Sequence, residues 1–254
     1  MLLWQMAADG CALLVQIGAN RREASLILSR PRLRQSLTVL MRHRKVVGTL
    51  ALSGIINSIN QQLPISTITF AFGATYAGWF SLAAQFVGAP SSIVTLAVSD
   101  VANQRLSRCY AEQRRFSHHV LRTTLGMAAV GAVPFTAIIF LAPALLPIVL
   151  GPHWVGAAGS VSILAVSSYL WFVVMPAGTV PLIVDARRYI VLYHFLRLAG
   201  YVGLGAAALY GLITYNMWLA LYVAGNALLY LLEAVVAYLF ARDAEARWRA
   251  APRF

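Results

Sequence analysis

Residues 123–142 read "TTLGMAAVGAVPFTAIIFLA", and this stretch of 20 residues holds no charged side chain. A helix of this length is about 30 Å long, which is the thickness of the hydrocarbon core of a bilayer. The rest of the chain has the same character, because 60% of its 254 residues are hydrophobic and only 11% are charged. Soluble domains do not have this composition, so the sequence predicts a membrane protein.

The chain divides into seven apolar runs, of which all but the first have at least the roughly 20 residues that a membrane helix needs. The runs cover 1–19, 46–72, 74–103, 119–142, 157–182, 189–210 and 215–240. We therefore predict an all-α fold, a polytopic membrane helix bundle. Prolines at Pro64, in Gly88-Ala89-Pro90 and in Met175-Pro176-Ala177-Gly178 predict bends in three of the helices.

Basic residues occur in every second connection between the runs. The connections that carry them are 20–45, 104–118 and 183–188, whereas 73–76, 143–156 and 211–215 contain no Lys or Arg. The positive-inside rule places the basic connections and the C-terminus in the cytoplasm. The net charge of +12 is spread over these connections rather than gathered on one face, so we expect no nucleic acid as a partner.

Three ordered segments resemble a known family. They are "NSINQQLP" at 57–64, "FGATYAGWFSLAAQFVGAPSSIVTLAVSDVANQRL" at 72–106 and "LAPALLPIVLGPHWVGAAGSVSILAVSSYLWFVVMPAGTVPLIVDARR" at 141–188. Their order resembles the C-terminal half of the bacterial polysaccharide-biosynthesis flippases. These are the lipopolysaccharide O-antigen and exopolysaccharide translocases of the multidrug/oligosaccharidyl-lipid/polysaccharide exporter superfamily. The resemblance covers about residues 46–210.

The resemblance implies a multi-pass transporter of the bacterial cytoplasmic membrane, built from two six-helix lobes that face each other across a central cavity. Rocking of the lobes would move an undecaprenyl-pyrophosphate-linked glycan from the inner to the outer leaflet. The present chain would then supply one lobe. Its expected parts are the end of a preceding span at 1–19, a basic cytoplasmic inter-lobe linker at 20–45, a C-terminal six-helix lobe at 46–240 and a basic cytoplasmic tail at 241–254.

The same resemblance implies the partners of the chain. The other wall of the cavity would be supplied by a missing N-terminal lobe or by a second copy of the chain. The linker would lie on anionic lipids of the cytoplasmic leaflet, or would be a solvated loop that obeys the positive-inside rule.

A polar stripe runs along the first complete span. Its members recur every three or four residues, so they share one helical face, and they are Ser53, Asn57, Asn60, Gln61 and Pro64. Amides that face lipid lack hydrogen-bond partners, so this face should point to protein or water. Either the amides line the substrate cavity and bind sugar hydroxyls, or they form hydrogen bonds between helices. We assign Gln85 of the next span to the same cavity.

The last two predicted spans each carry a charged side chain well inside the span, where a charge is costly. Arg197 follows Arg188 by nine residues. Glu233 precedes Arg242 by the same number, so each charge lies about 13 Å from the cytoplasmic edge. Equal depth in an antiparallel hairpin predicts a buried charge pair. The residues expected to share the two facing surfaces are His194, Arg197 and Tyr201 on one helix and Asn226, Tyr230 and Glu233 on the other.

Two roles remain open for this pair. In the first, Arg197 and Glu233 form a structural ion pair between the last two spans. In the second, Arg197 is a transient ligand for the pyrophosphate of the lipid carrier, because its fork of donors matches phosphate. Glu233 would then release the pyrophosphate or take up a proton.

Other functional classes are less consistent with the sequence. An integral membrane enzyme needs an acid/base or metal constellation. The sequence has no D-x-D motif and no Gly-rich phosphate loop, so we expect no catalytic residue, no metal, no cofactor and no enzyme activity. Two alternatives to glycan transport stay open. In the first, the chain is an ion-coupled drug or small-molecule exporter of the same superfamily. In the second, it is a non-transporting half that needs a partner lobe.

Overall fold

The structure is a computed structural model that describes the backbone of residues 44–151 and 154–250, with side chains at 48–88, 101–151 and 154–250. The predicted span at 1–19, almost all of the linker at 20–45 and the last four residues lie outside the described ranges. Within those ranges the chain is helical and contains no strand. The predicted all-α membrane helix bundle is confirmed.

Six long helices follow one another in the part of the chain that the structure describes. They are α1 (Arg44–Phe72), α2 (Ala74–Ala111), α3 (Phe116–Leu150), α4 (Val155–Val174), α6 (Arg187–Leu209) and α7 (Tyr215–Ala250). A 3-10 turn (Ala177–Thr179) and the short helix α5 (Val180–Ile183) lie between α4 and α6. By length and composition, α3, α4, α6 and α7 are long and apolar enough to cross a membrane. Helices α1 and α2 coincide with predicted runs, and their crossing of the membrane stays a prediction.

Helix α4 is the most enclosed of the four apolar helices. In its most apolar window 56% of the residues are buried, against 17% in α3 and α6 and 22% in α7. It packs against α2, α3 and α7. Large apolar side chains on the outer helices point away from the bundle, as Phe70 and Ile148 do with 82% and 79% of their surface exposed. An exposed apolar surface of this kind suits hydrocarbon rather than water.

Tight turns join α1 to α2 and α6 to α7, at two connections that the charge pattern predicts to lie outside the cell. Gly73 separates α1 from α2 with a φ of 93°, and Gly211 follows α6 with a φ of 71°. Both angles lie in the left-handed region, which side chains with a Cβ disfavour. These glycines end one helix and allow the next to begin within a few residues.

The proline sites differ in their effect on the helices. Of the three predicted bends, the one at Met175–Gly178 coincides with an interruption of the helix, because α4 ends at Val174 and a 3-10 turn follows. In contrast, α1 is continuous through Pro64 and α2 is continuous through residues 88–90. A proline removes one backbone donor but does not by itself end a membrane helix, because ending it there would leave further backbone groups without hydrogen-bond partners in the absence of water.

Helix α3 extends further than the sequence predicts. The apolar run was expected to end at 142 with an outside connection from 143, but the helix continues to Leu150 through Pro143 and Pro147. The same tolerance of proline explains the difference. Only the residues after Leu150 therefore connect α3 to α4.

Helix α7 continues through most of the predicted tail at 241–254. Ala241 and Ala244 are buried, and the ring of Trp248 packs against Tyr110 and Phe116 at centroid distances of 5.3 and 6.3 Å. These contacts keep the tail helical up to Ala250. Arg242, Arg247 and Arg249 are exposed on this packed helix.

Glu245 connects the end of α7 to the beginning of α3. One oxygen of its carboxylate accepts hydrogen bonds from the backbone N–H of Ser117, at 2.6 Å, and from the Ser117 hydroxyl, at 2.8 Å. The first N–H groups of a helix have no partner within it, and a negative charge there is favourable. Glu245 therefore caps α3 from another helix.

Candidate functional site

The polar stripe of α1 divides into a buried part and an exposed edge. Ser53, Asn60 and Pro64 are buried, Asn57 is half-buried and Gln61 is exposed. At 3.6 residues per turn, Gln61 lies about 80° around the helix from Ser53, so it stands at the border of the buried face. The stripe faces protein on one side, and its two outer amides are accessible.

Asn60 attaches α1 to α6. Its side-chain Nδ2 donates a hydrogen bond of 3.1 Å to the backbone carbonyl of His194, and the residue is only 1% exposed. Further along, a side chain at Gly205 would come within 3.1 Å of the Thr67 hydroxyl oxygen, so the two helices pack closely there. Asn60 thus makes the bond between helices that was one of the two predicted roles of the stripe. Within the described residues, Asn57 and Gln61 make no such bond to another helix.

Arg197 lies between α6 and α7, against two tyrosines. Its Nε donates to the hydroxyl of Tyr201 at 2.9 Å, and one terminal nitrogen donates to the hydroxyl of Tyr230 at 3.5 Å. The guanidinium carbon is 5.3 and 5.9 Å from the centroids of the two rings. These distances are within the range of cation–π attraction. The half-buried cation is therefore held by neutral groups.

The tyrosines are fixed by a second layer of contacts. The Tyr201 hydroxyl donates to Asn226 Oδ1 at 2.8 Å, and Asn226 Nδ2 donates to the backbone carbonyl of Tyr222 at 2.8 Å. The ring of Tyr222 stacks on Trp218 at 5.1 Å and on Tyr201 at 5.2 Å. We call the set Arg197, Tyr201, Trp218, Tyr222, Asn226 and Tyr230 the arginine cluster.

Arg197 and Glu233 do not form the ion pair that their equal depth predicts. Within the described residues, every N–O contact of 4.0 Å or less between opposite charges joins other side chains. Tyr201, one turn after Arg197, and Tyr230, one turn before Glu233, instead accept hydrogen bonds from two nitrogens of the guanidinium. Glu233 turns towards the interruption after α4, where one of its oxygens would lie 2.8 Å from a Cβ at Gly178.

The other predicted cavity residues are not joined to this cluster by a contact. Gln85 is exposed on α2, and no hydrogen bond connects Gln61 or Gln85 to Arg197. The link between α1 and the cluster runs through Asn60, whose partner His194 precedes Arg197 by one turn.

Several members of the arginine cluster were missed from the sequence. Trp218 and Tyr222 belong with the predicted Asn226 and Tyr230, and the four residues recur every four positions along α7. This spacing puts them on one face of the helix and could have revealed the cluster. A stripe of aromatic residues is also common in a plain helix interface, so the spacing alone does not distinguish the two.

The donors of the cluster define its chemistry. A guanidinium, phenol hydroxyls and an amide can donate hydrogen bonds to oxyanions and to sugar hydroxyls. Within the described part of the chain, no group of three or more His, Cys, Asp or Glu residues is placed to hold a metal ion. The site is suited to a phosphate-containing or hydroxyl-rich ligand.

Comparison with models of protein families matches residues 24–159 to the family described as polysaccharide biosynthesis protein. The match covers more than half of the 254 residues. The chain belongs to this family. For this polysaccharide biosynthesis protein, no match was found among curated proteins or among solved structures. The matched region contains the amide stripe of α1 and all of α2 and α3, whereas Arg197 and Glu233 lie beyond it.

Family membership and apolar helices together support a multi-pass membrane protein with a role in polysaccharide synthesis or export. The resemblance to this family that three sequence segments indicated is confirmed.

Proposed function

We propose that this polysaccharide biosynthesis protein transports a lipid-linked oligosaccharide across the cytoplasmic membrane, as one lobe of an alternating-access flippase. The observation that carries the proposal is the state of Arg197. It is a cation inside a membrane bundle, and tyrosines hold it without neutralising it. A charge at this depth is costly unless an opposite charge joins it. The pyrophosphate of an undecaprenyl-linked glycan would supply that charge in the loaded state.

The neighbouring groups fit the remaining parts of such a substrate. Asn57 and Gln61 present amides at the accessible border of α1, and Gln85 is exposed on α2. Uncharged amides can donate to and accept from sugar hydroxyls without demanding one particular sugar. In this proposal they contact the glycan, while Arg197 binds the pyrophosphate.

Glu233 is assigned the release step. Its carboxylate lies in the same hairpin as Arg197 without touching it, and it faces the interruption between α4 and α5. An anion near the bound pyrophosphate weakens its attachment by like-charge repulsion, and protonation of the carboxylate would remove that repulsion. An interrupted helix can also change its arrangement more readily than a continuous one.

A second surface is required to enclose the substrate. The amides at the border of α1 are accessible in the described bundle, whereas a transported glycan needs a cavity closed on both sides. We propose that an N-terminal lobe or a second copy of the chain supplies that surface. Anionic lipids beneath the basic segment 20–45 would hold this segment at the cytoplasmic face.

The proposed orientation places the C-terminus in the cytoplasm and the turn after α6 outside. In a chain with Cys11→Ser and Cys109→Ser, we expect Leu212→Cys to react with an impermeant thiol reagent in intact cells. Leu212 is 73% exposed, so access to the position itself is not limiting. Arg247→Cys should react only after the cells are opened. Labelling of Arg247→Cys but not of Leu212→Cys in intact cells would show that the chain has the opposite orientation.

Deletion of the gene distinguishes a role of the chain in transport from a role in synthesis. We expect cells without the chain to lose surface polysaccharide while they still make the lipid-linked precursor, which would accumulate on the cytoplasmic face. The precursor is extracted and quantified together with the surface polysaccharide. Loss of the precursor itself would assign the chain to synthesis, and unchanged surface polysaccharide with altered drug efflux would favour the small-molecule exporter.

A further inference from the structure

A second polar feature of the bundle lies away from Arg197, between α2 and α3. A cavity of about 730 Å³ opens between the last turns of α2 and the first turns of α3. We call it the α2–α3 groove. Its polar lining includes Arg105, Arg108, Glu112, Arg114, His119 and Arg122, and its apolar lining includes Val101, Leu106, Met127 and Val130.

The positive charge of the groove is only partly neutralised. Arg108 and Arg114 share Glu112, each with an N–O distance of 2.7 Å. The hydrogen bond from Arg108 lowers the pKa of Glu112, so this carboxylate is ionised at neutral pH. Arg105 and Arg122 form no ion pair with any carboxylate in the described part of the chain. Two guanidinium groups are therefore available to an anion.

Charge and apolar surface are separated along the groove. Arg105 precedes the end of α2 by six residues and Arg122 follows the start of α3 by six, so both lie about 9 Å from the connection. Val101 and Gly126 lie ten residues from the same helix ends, at a depth of about 15 Å. The cations thus lie near the connection, which the charge pattern predicts to be cytoplasmic, and the apolar surface lies further along the two helices. An amphiphilic lipid has the same arrangement, with a charged headgroup at one end and an apolar chain at the other.

Gly126 leaves space for a hydrocarbon chain. A Cβ added at this position would meet no atom within 4 Å. The residue lines the groove between the arginine rim and Val130. A larger side chain here would fill the apolar part without changing the charge.

We propose that the α2–α3 groove binds an anionic glycerophospholipid of the cytoplasmic leaflet, with the phosphate between Arg105 and Arg122 and an acyl chain along Val101, Gly126 and Val130. Guanidinium groups bind phosphate through paired hydrogen bonds, and basic pockets between helices on this side recognise anionic headgroups. The segment 20–45 is itself strongly basic, so its charge does not complement the groove. This inference does not depend on the proposed transport of glycans.

Cys109 provides a reporter for occupancy. It lines the groove as a half-buried free thiol, and Cys11→Ser leaves it as the single cysteine of the chain. The rate of its modification by a maleimide is measured in detergent with dioleoyl-phosphatidylglycerol, dioleoyl-phosphatidylcholine or glycerol 3-phosphate. We expect phosphatidylglycerol to slow the reaction at concentrations where the other two have little effect. Each variant is compared with itself without lipid, because a nearby charge also alters thiol reactivity.

Matched variants separate the headgroup from the acyl chain. Arg105→Gln with Arg122→Gln should raise the phosphatidylglycerol concentration for half-protection roughly thirtyfold. Arg188→Gln with Arg242→Gln removes the same charge from exposed positions outside the groove. This control should leave the phosphatidylglycerol concentration for half-protection unchanged. Gly126→Leu should weaken protection by the lipid, whereas it would not affect a site for free phosphate.

Several results would overturn the assignment. Equal protection by phosphatidylcholine would indicate unselective detergent-like binding, and equal protection by glycerol 3-phosphate would indicate a plain anion site. Stronger protection by undecaprenyl phosphate would make the groove an entrance for the transported lipid. An unchanged response of the Arg105→Gln, Arg122→Gln variant also contradicts it, provided that gel filtration shows a folded chain. Gly126→Leu is the second test if that variant does not fold.

Discussion

Replacement of Arg197 by glutamine is expected to reduce glycan export roughly 10- to 100-fold while the chain remains abundant. The factor corresponds to the loss of a charge-assisted contact with a phosphate group. The structure explains why abundance should survive. Arg197 bonds to the hydroxyls of Tyr201 and Tyr230, and among the described residues no carboxylate loses a direct partner when the guanidinium is removed. Surface polysaccharide and chain abundance are measured in the same cells.

Three further variants decide between the roles of Arg197. Arg197→Lys keeps the charge but loses the fork of donors, so we expect export to fall in this variant as well. Arg188→Gln, on the same helix at an exposed position, should export normally. If Arg197 and Glu233 formed a structural pair instead, Arg197→Gln would lower abundance and added Glu233→Gln would restore it. Such a rescue would contradict the geometry of the arginine cluster.

Replacement of Gly156 by alanine is expected to destabilise the bundle by about 1–3 kcal/mol, the usual cost of an overpacked position. A Cβ at Gly156 would lie 2.3 Å from an atom of the Trp79 ring, which belongs to α2. The ring is large and rigid, so either it or the first turn of α4 has to move. The measurement is the loss of helical circular dichroism with temperature in detergent.

Gly159→Ala is the control for this prediction. The position lies on the same helix, and an added Cβ there meets no atom within 4 Å. Alanine also has the higher helix propensity, by about 1 kcal/mol. We therefore expect Gly159→Ala to unfold at or above the temperature of the original chain. A Gly156→Ala variant as stable as Gly159→Ala would show that α2 and α4 do not approach as closely as described.

The positions of the helices could be predicted where they depend on the local sequence. The run at 189–210 became α6 at Arg187–Leu209, because hydrophobic length and a terminal glycine are properties of the sequence itself. The end of α7 was not predictable in this way. Its last turns are held by Trp248 against Phe116, a contact between residues far apart in the chain.

The two helix faces that meet at the candidate site were predicted, as the bonds of Arg197 to Tyr230 and of Tyr201 to Asn226 show, but the pairing of Arg197 with Glu233 was wrong. Counting residues from the cytoplasmic edge placed Arg197 and Glu233 in one layer. It could not show that Tyr230, three residues before Glu233, would reach the guanidinium first. Likewise, Asn60 was predicted on a protein-facing side, but its partner is the backbone of His194, which any residue at that position would present. Side-chain direction and backbone partners depend on the packed structure.

Translocation in everted membrane vesicles tests the central claim most directly. In these vesicles the cytoplasmic face is outside, so a labelled lipid-linked glycan made there is at first open to an added glycosidase. With the chain present, we expect the protected fraction to grow with time, and in vesicles from cells lacking the gene it should stay near its initial value. An equal rise in protected glycan with and without the chain would contradict the account.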